Sequence, residues 1–242
     1  MHLTILRFDS LGSTNTEAIA QAKRGAAEGL CIFAREQTAG RGRHGRTWAS
    51  GPDAGLYFSV VLRPKLDTGY WPLITLMAAV AVFETLKEHR LDPDIKWPND
   101  LLVNEKKISG ILAEIADSGA VVVGIGINMG VSAIPPEIEA TATSIEKETG
   151  IRPPGEEVLL ALTRRFSEYY ELILGDDGPA SIRQEWVKRS SYAEGKPVRI
   201  LTAGKTIEGV TRGIAENGAL IVETEEGIEV VHSGDVERLR SQ

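Results

Sequence analysis

Three apolar runs lie almost back to back in the middle of this chain: residues 94–103 (DIKWPNDLLV), 106–116 (KKISGILAEIA) and 120–129 (AVVVGIGINM). The gaps hold Asn104 and Glu105 in one case and Asp117, Ser118 and Gly119 in the other. Parallel neighbours need a crossover of roughly a dozen residues or more, so strands this close together can only form an antiparallel meander. The rest of the chain has to be arranged around that sheet. Residues 3–8, 30–35 and 56–64 read as earlier strands, the last closed by Pro64. A helix fits between the first two, with Ser13, Thr14 and Asn15 as capping candidates and Gly25 as its stop. Further helices are expected over 71–90, 156–174 and 179–189, and from residue 195 short strands alternate with Gly and Asn turns. The expected fold class is α+β: a mixed sheet packed with helices over residues 1–190, then a small β-barrel over 191–242.

Composition narrows the partners. The 242 residues carry 27 Lys and Arg against 34 Asp and Glu, a net charge of −7, so the surface as a whole does not invite DNA or an anionic membrane. Any anion site has to be local. Cys31 is the single cysteine and sits in the apolar run LCIF, where a buried, inert thiol suits a reducing compartment. No apolar run approaches the roughly 20 residues needed to span a bilayer, and no basic leader precedes an apolar segment. The cytoplasm is the expected location.

The loop over residues 37–54 is long enough to demand a purpose. Its Gly40, Gly42 and Gly45 match the G-x-G-x-x-G pattern of a dinucleotide-binding turn, but that turn must open directly into a helix. Here Thr47, Trp48, Ser50, Gly51 and Pro52 follow, then a strand, so the dinucleotide reading fails. An electrostatic reading survives. Arg41, Arg43 and Arg46 set guanidinium forks beside flexible glycine backbone, and no acidic residue between 37 and 52 neutralises them. Trp48 adds an aromatic face for a purine. A solvated basic loop is the plainer alternative.

Other segments carry polar groups at apolar strand ends. Asn99 and Asp100 follow Pro98, and the hairpin should bring Asp100 beside Gly110 and Ile111. A glycine inside a strand suggests close approach to the backbone, and Lys107 flanks the same strand as a candidate anion partner. A turn cap and a charged hairpin tip are the alternatives for Asp100 and Lys107. Asn128 ends the glycine-containing strand with a donor and acceptors that suit an adenine edge, or merely tie loops together. Ser13 and Thr14, with Gln37, offer neutral hydrogen-bonding groups beside the basic loop.

In order along the chain, STN (13–15), QTAGRGRHGRTW (37–48), KWPNDLLVNEKKISGIL (96–112) and GIGINM (124–129) resemble the motifs of biotin protein ligases, and the likeness covers nearly the whole sequence. The resemblance implies a class II synthetase-like catalytic domain followed by an SH3-like barrel. It also implies a reaction: ATP and biotin, with magnesium, give biotinyl-5′-AMP and pyrophosphate, and biotin then passes to a lysine of a biotin carboxyl carrier protein domain. By that resemblance Lys107, Arg43 and Asp100 are the catalytic candidates. Ser13, Thr14, Asn15, Gln37, Gly110 and Lys107 are the biotin candidates. Gly40, Arg41, Gly42, Arg43, Arg46, Trp48 and Asn128 are those for ATP and adenylate. No metal ligand is assigned. His44 departs from the family, standing where an arginine is common. The chain starts directly at its first strand, which implies a monofunctional ligase without an N-terminal DNA-binding domain, and a homodimer is an open possibility. A lipoate ligase of related fold is the alternative, disfavoured by the polar character of Ser13, Thr14 and Gln37. A nucleic-acid-binding protein is opposed by the many acids after residue 195.

Overall fold

The computed structural model describes residues 1–116 and 119–238; the turn expected at 117–119 falls partly outside them, and residues 239–242 of the expected barrel fall outside wholly. Strand β1 (Thr4–Leu11) pairs in parallel with β2 (Leu30–Gln37), and helix α1 (Thr14–Lys23) makes the crossover. Ser13 caps α1 by accepting from the Thr16 N–H, and Gly25 takes the left-handed conformation (φ 88°) just past its end. Strand β3 (Gly55–Leu62) runs antiparallel to β2, and α2 (Pro72–Glu88) leads into the meander.

That meander has one more strand than the sequence suggests. Residues 94–103 form two strands, β4 (Asp94–Lys96) and β5 (Asp100–Val103), paired with each other through Ile95 and Leu101. The chain reverses at the cis Trp97–Pro98 peptide, where proline has no N–H to offer a ladder. Two residues with positive φ, Asn104 (50°) and Glu105 (62°), then join β5 to β6 (Lys106–Ile115) in the manner of a tight hairpin. With β7 (Val121–Asn128) the seven-stranded sheet is complete, in the order β1-β2-β3-β7-β6-β5-β4.

Alternation along β7 divides the sheet's two faces. Val121, Val123, Ile125 and Ile127 enter the main core, where α2 is backed by α4 (Gly155–Ile173) and α5 (Gly178–Val187). Val122 faces the other way, into a smaller cluster with Ala18 and Ala22 of α1. The next residues on that second face are Gly124 and Gly126, which leave a floor without side chains. A short helix, α3 (Ile145–Thr149), lies between the meander and α4 and has no counterpart in the sequence expectations.

After α5 come β8 (Glu194–Leu201), β9 (Thr206–Ile214), β10 (Leu220–Thr224), β11 (Gly227–Val231) and β12 (Asp235–Arg238), antiparallel in the order β11-β10-β9-β8-β12. This is the small all-β unit the turn-rich grammar called for. Its buried Val198, Ile200, Leu220, Val222 and Val236 join the core that contains α2. The turn at Gly218 packs so tightly on α2 that a Cβ there would lie 2.9 Å from Leu73, and its carbonyl accepts from the Trp97 indole at 3.0 Å. That docking carries the start of β12 to the site.

Candidate functional site

A cleft opens over the glycine floor where α1, the 37–54 loop, β5, β6 and β12 converge. The register pairs Gly110 with Gly126 and Leu112 with Gly124. The Trp48 indole lies flat against this floor: a Cβ on Gly126 would meet its Cε2 at 2.6 Å, and one on Gly110 its Cζ3 at 2.9 Å. Both glycines are therefore required by a close approach, as Gly110 was expected to be, although the approaching group here is the protein's own tryptophan. The Trp48 Nε1 is buried without a hydrogen-bond partner among the described residues. The remaining cavity is about 130 Å³, below the roughly 300 Å³ at which small-molecule clefts begin.

One end of the cleft is a neutral polar cradle. Gln37 Oε1 accepts from the Thr14 N–H at 2.8 Å and from its hydroxyl at 3.0 Å, while Gln37 Nε2 donates to Ser50 Oγ at 2.9 Å. Beneath them the buried Ser59 hydroxyl lies 2.8 Å from Thr14 Oγ1 and 2.7 Å from Asn15 Oδ1, one hydrogen serving two acceptors. Asn15 donates both amide hydrogens inward, to the Leu112 carbonyl at 3.0 Å and Glu114 Oε2 at 2.9 Å. It fills the space that Gly124 leaves; a Cβ there would sit 2.1 Å from Asn15 Oδ1. Asn15, a biotin candidate by resemblance, thus lines the cleft with its donors already spent within the protein.

The other end is cationic. Asp100 and Gly110 are register partners, as expected, and Lys107 Nζ reaches Asp100 Oδ1 at 2.7 Å. The same ammonium stands 5.4 Å from the centre of the Trp48 ring. The loop itself is folded as a tongue: Arg41 pairs with Thr47, the Gly42 N–H donates to the Arg46 carbonyl at 2.7 Å, and the Trp48 N–H donates to the Gly40 carbonyl at 3.0 Å. Gly40 has to be glycine, since a Cβ would lie 2.4 Å from the Trp48 carbonyl. Arg43 leans inward and donates to Asn99 Oδ1 at 2.8 Å. Burial lowers the Arg43 pKa, against the opposing pull of the Asp235 and Asp100 charges.

The arginines are not as free as the local sequence implies, because their carboxylates arrive from elsewhere. Arg46 donates to Asp235 Oδ2 at 2.6 Å, and Arg43 lies 3.8 Å from Asp235 Oδ1. Arg41 forms a two-pronged pair with Glu114, at 2.7 and 3.0 Å. Arg41, a phosphate candidate by resemblance, is therefore held at the Asn15 end, away from Arg43 and Arg46. Asn128, unlike Arg41, is not among the residues lining the cleft; its amide donates at 3.0 Å to the carbonyl of Thr143. That bond fixes a segment that runs beside Lys107, where the Lys107 N–H donates to Thr141 and the Thr143 N–H to Lys107. Sequence reasoning named Asn99 as a polar group at a strand mouth but missed Ser59, Glu114, the 141–143 segment and Asp235. Only Ser59 left a signal, as the one polar residue inside the run LYFSVVL.

Residues 8–132 match the biotin/lipoate A/B protein ligase family and residues 195–239 match the biotin protein ligase C terminal domain. The bifunctional ligase/repressor BirA of Bacillus subtilis (strain 168) is 37% identical over 246 residues, covering 96% of this chain and 73% of the relative. The biotin--[acetyl-CoA-carboxylase] ligase of Paracoccus denitrificans is 36% identical over 236 residues, covering 93% and 96%. Among solved structures, the biotin protein ligase from Aquifex aeolicus in complex with biotin and ATP superposes with a TM-score of 0.86 at 33% identity, covering 98% of this chain and 99% of that one.

Proposed function

This chain belongs to the biotin/lipoate A/B protein ligase family, on its biotin protein ligase side, and from that premise we propose how its residues divide the work. The enzyme joins biotin to ATP and then passes biotin to protein. The observation that carries the assignment is the polarity of the cleft: the neutral cradle of Thr14, Gln37, Ser50 and Ser59 at one end and Lys107 with Arg43 at the other. Biotin has that polarity, with a ureido head needing donors and acceptors and a carboxylate at the far end of an apolar chain. Lipoate ends instead in an apolar dithiolane, which gains nothing from the cradle.

In the first half-reaction a biotin carboxylate oxygen attacks the α-phosphorus of ATP and the bond to the bridging oxygen of pyrophosphate breaks. Two anions have to be brought together, so Lys107 and Arg43 screen their repulsion and stabilise the charge on the transferring group. Arg46 takes the departing phosphates. Gly40 and Gly42 let the tongue pack closely, and Trp48 swings from the glycine floor to cover the adenine and the alkyl chain. Ser13 and Gly110 line the biotin path, whereas Asn15 positions Thr14 rather than touching biotin. Arg41 does the same for the head end of the loop, and Asn128 supports the adenine site by holding the 141–143 segment.

In the second half-reaction the lysine amine of the acceptor attacks the carbonyl of the mixed anhydride, AMP leaves, and the amine proton must be removed. To Asp100 we assign the orientation of that amine and the removal of its proton, once Lys107 turns toward the phosphate. Among the described residues no group of three His, Cys, Asp or Glu side chains is arranged to hold a metal ion. Magnesium would enter with the ATP phosphates and help neutralise their charge. The acceptor is a biotin carboxyl carrier domain of a biotin-dependent carboxylase, with residues 1–190 as the catalytic domain and 191–242 as the small appended one. Among the described residues no helix is long and apolar enough to cross a membrane. The cytoplasm is the proposed location, and the proposed assembly is a homodimer through an edge of the main sheet. Pyrophosphate release with ATP and magnesium, compared with biotin, with lipoate and with neither, tests the assignment: release is expected with biotin alone, and lipoate-dependent release would overturn it.

A further inference from the structure

Among the described residues, Asp235 is the one residue of the second sheet that lines the cleft. It is the first residue of β12, fixed by pairing with Leu201 of β8. Its two carboxylate oxygens address different arginines of the tongue, Oδ2 taking Arg46 at 2.6 Å and Oδ1 facing Arg43 at 3.8 Å. The two residues before it add to the grip: Gly234 offers its carbonyl and Ser233 its hydroxyl to Arg43, each at 3.4 Å. A three-residue stretch nearly 190 positions away in sequence thus supplies oxygen acceptors to both arginines.

We infer that Asp235 is a positioning residue that stands in for phosphate: its carboxylate holds Arg43 and Arg46 whenever pyrophosphate does not, and the two anions exchange on those guanidinium groups during each turnover. The inference rests on the proposed adenylation reaction and extends it to a residue of the appended sheet. The reasoning is electrostatic. Phosphate oxygens and the Asp235 oxygens need the same N–H groups, and like charges only a few ångströms apart in a partly buried site repel. ATP binding therefore has to displace the carboxylate. When pyrophosphate departs, Arg46 loses its partner and Arg43 keeps only the adenylate phosphate; recapture by Asp235 neutralises the excess positive charge and draws the tongue shut. A closed tongue keeps water from the mixed anhydride. The tongue's closure is thereby tied to loss of pyrophosphate.

Two readouts on the intact protein test this: inhibition of adenylate formation by pyrophosphate, and the lifetime of the enzyme-held adenylate after free biotin and ATP are removed. Asp235→Asn keeps size and one acceptor but loses the charge. It is expected to bind pyrophosphate about fivefold more tightly and to lose adenylate about fivefold faster, the size of a partly exposed charge pair. Asp235→Glu should restore both to within about twofold. A residue that merely braced the tongue would shorten the adenylate lifetime without tightening pyrophosphate binding, and that result, or wild-type values for both, would overturn the inference. Failure of the wild-type chain to form any adenylate would instead overturn the function on which it rests.

Discussion

Lys107 Nζ and Asp100 Oδ1 are 2.7 Å apart, although Asp100 lies opposite Gly110 and Lys107 opposite Leu102, across a register shift between Leu101 and Leu102. The absent side chain at Gly110 is what makes room: a Cβ there would stand 3.1 Å from Lys107 Cε. One ion pair therefore stores, side by side, the cation proposed for the first half-reaction and the carboxylate proposed for the second.

Lys107→Ala should separate these roles. Loss of a charge that acts on the transition state is expected to slow adenylate formation by about 10²–10³-fold, with a much smaller change in biotin affinity. Pyrophosphate exchange for the rate and calorimetry for the affinity would measure the two independently. Equal losses in both would reduce Lys107 to a binding group.

Trp48 covers the glycine floor proposed here for the substrates, within a cavity of about 130 Å³. Its removal should open that floor, so Trp48→Ala is expected to associate with a fluorescent biotin analogue faster than the wild type while holding adenylate for a shorter time. Stopped-flow anisotropy reads the first and single-turnover hydrolysis the second. An association rate that does not rise would mean that the indole is no obstacle.

Gly124→Ala drives a methyl group to 2.1 Å from Asn15 Oδ1. Asn15 cannot step aside cheaply, because it is tied to Leu112, Glu114 and Ser59. A loss of roughly 1–3 kcal/mol, as for other overpacked sites, is expected from urea unfolding, together with weaker biotin binding as Thr14 shifts. Gly25→Ala, where nothing lies within 4 Å but φ is 88°, serves as the control that strains backbone without touching the cradle.

Cys31 is fully buried, and burial pushes its thiol up to about 12. The reactive thiolate is scarce at every working pH below that value. Iodoacetamide at pH 8 should leave the folded protein unmodified and alkylate it fully in urea, by mass spectrometry. Rapid labelling of the folded form, or loss of activity on labelling, would contradict a purely structural thiol.

The parts of the site carried by short contiguous motifs were legible in the sequence, because glycines at alternating positions, Pro98 and clustered arginines each have a local physical meaning. The meander and the all-β unit could be read for the same reason, as could the nearness of Asp100 to Gly110 and Ile111, but not the register itself. What could not be read depends on distant segments meeting. Glu114 and Asp235 look like ordinary surface acids, yet they are the partners of Arg41 and of Arg43 with Arg46. The freedom of those arginines was therefore overstated from a loop that contains no acid of its own. Splitting of residues 94–103 into a hairpin escaped notice because an X-Pro step reads equally well as extended chain or as a turn.

The central claim is that one cleft activates biotin as an adenylate and then yields it to a protein lysine. A single-turnover experiment tests it most directly: enzyme, biotin and α-labelled ATP are mixed, free substrates are removed, and a biotin carboxyl carrier domain is added. Stoichiometric AMP release with biotin appearing on one carrier lysine is the expected result. Labelled nucleotide that never forms with biotin, or that stays on the enzyme unchanged when the carrier arrives, would contradict it.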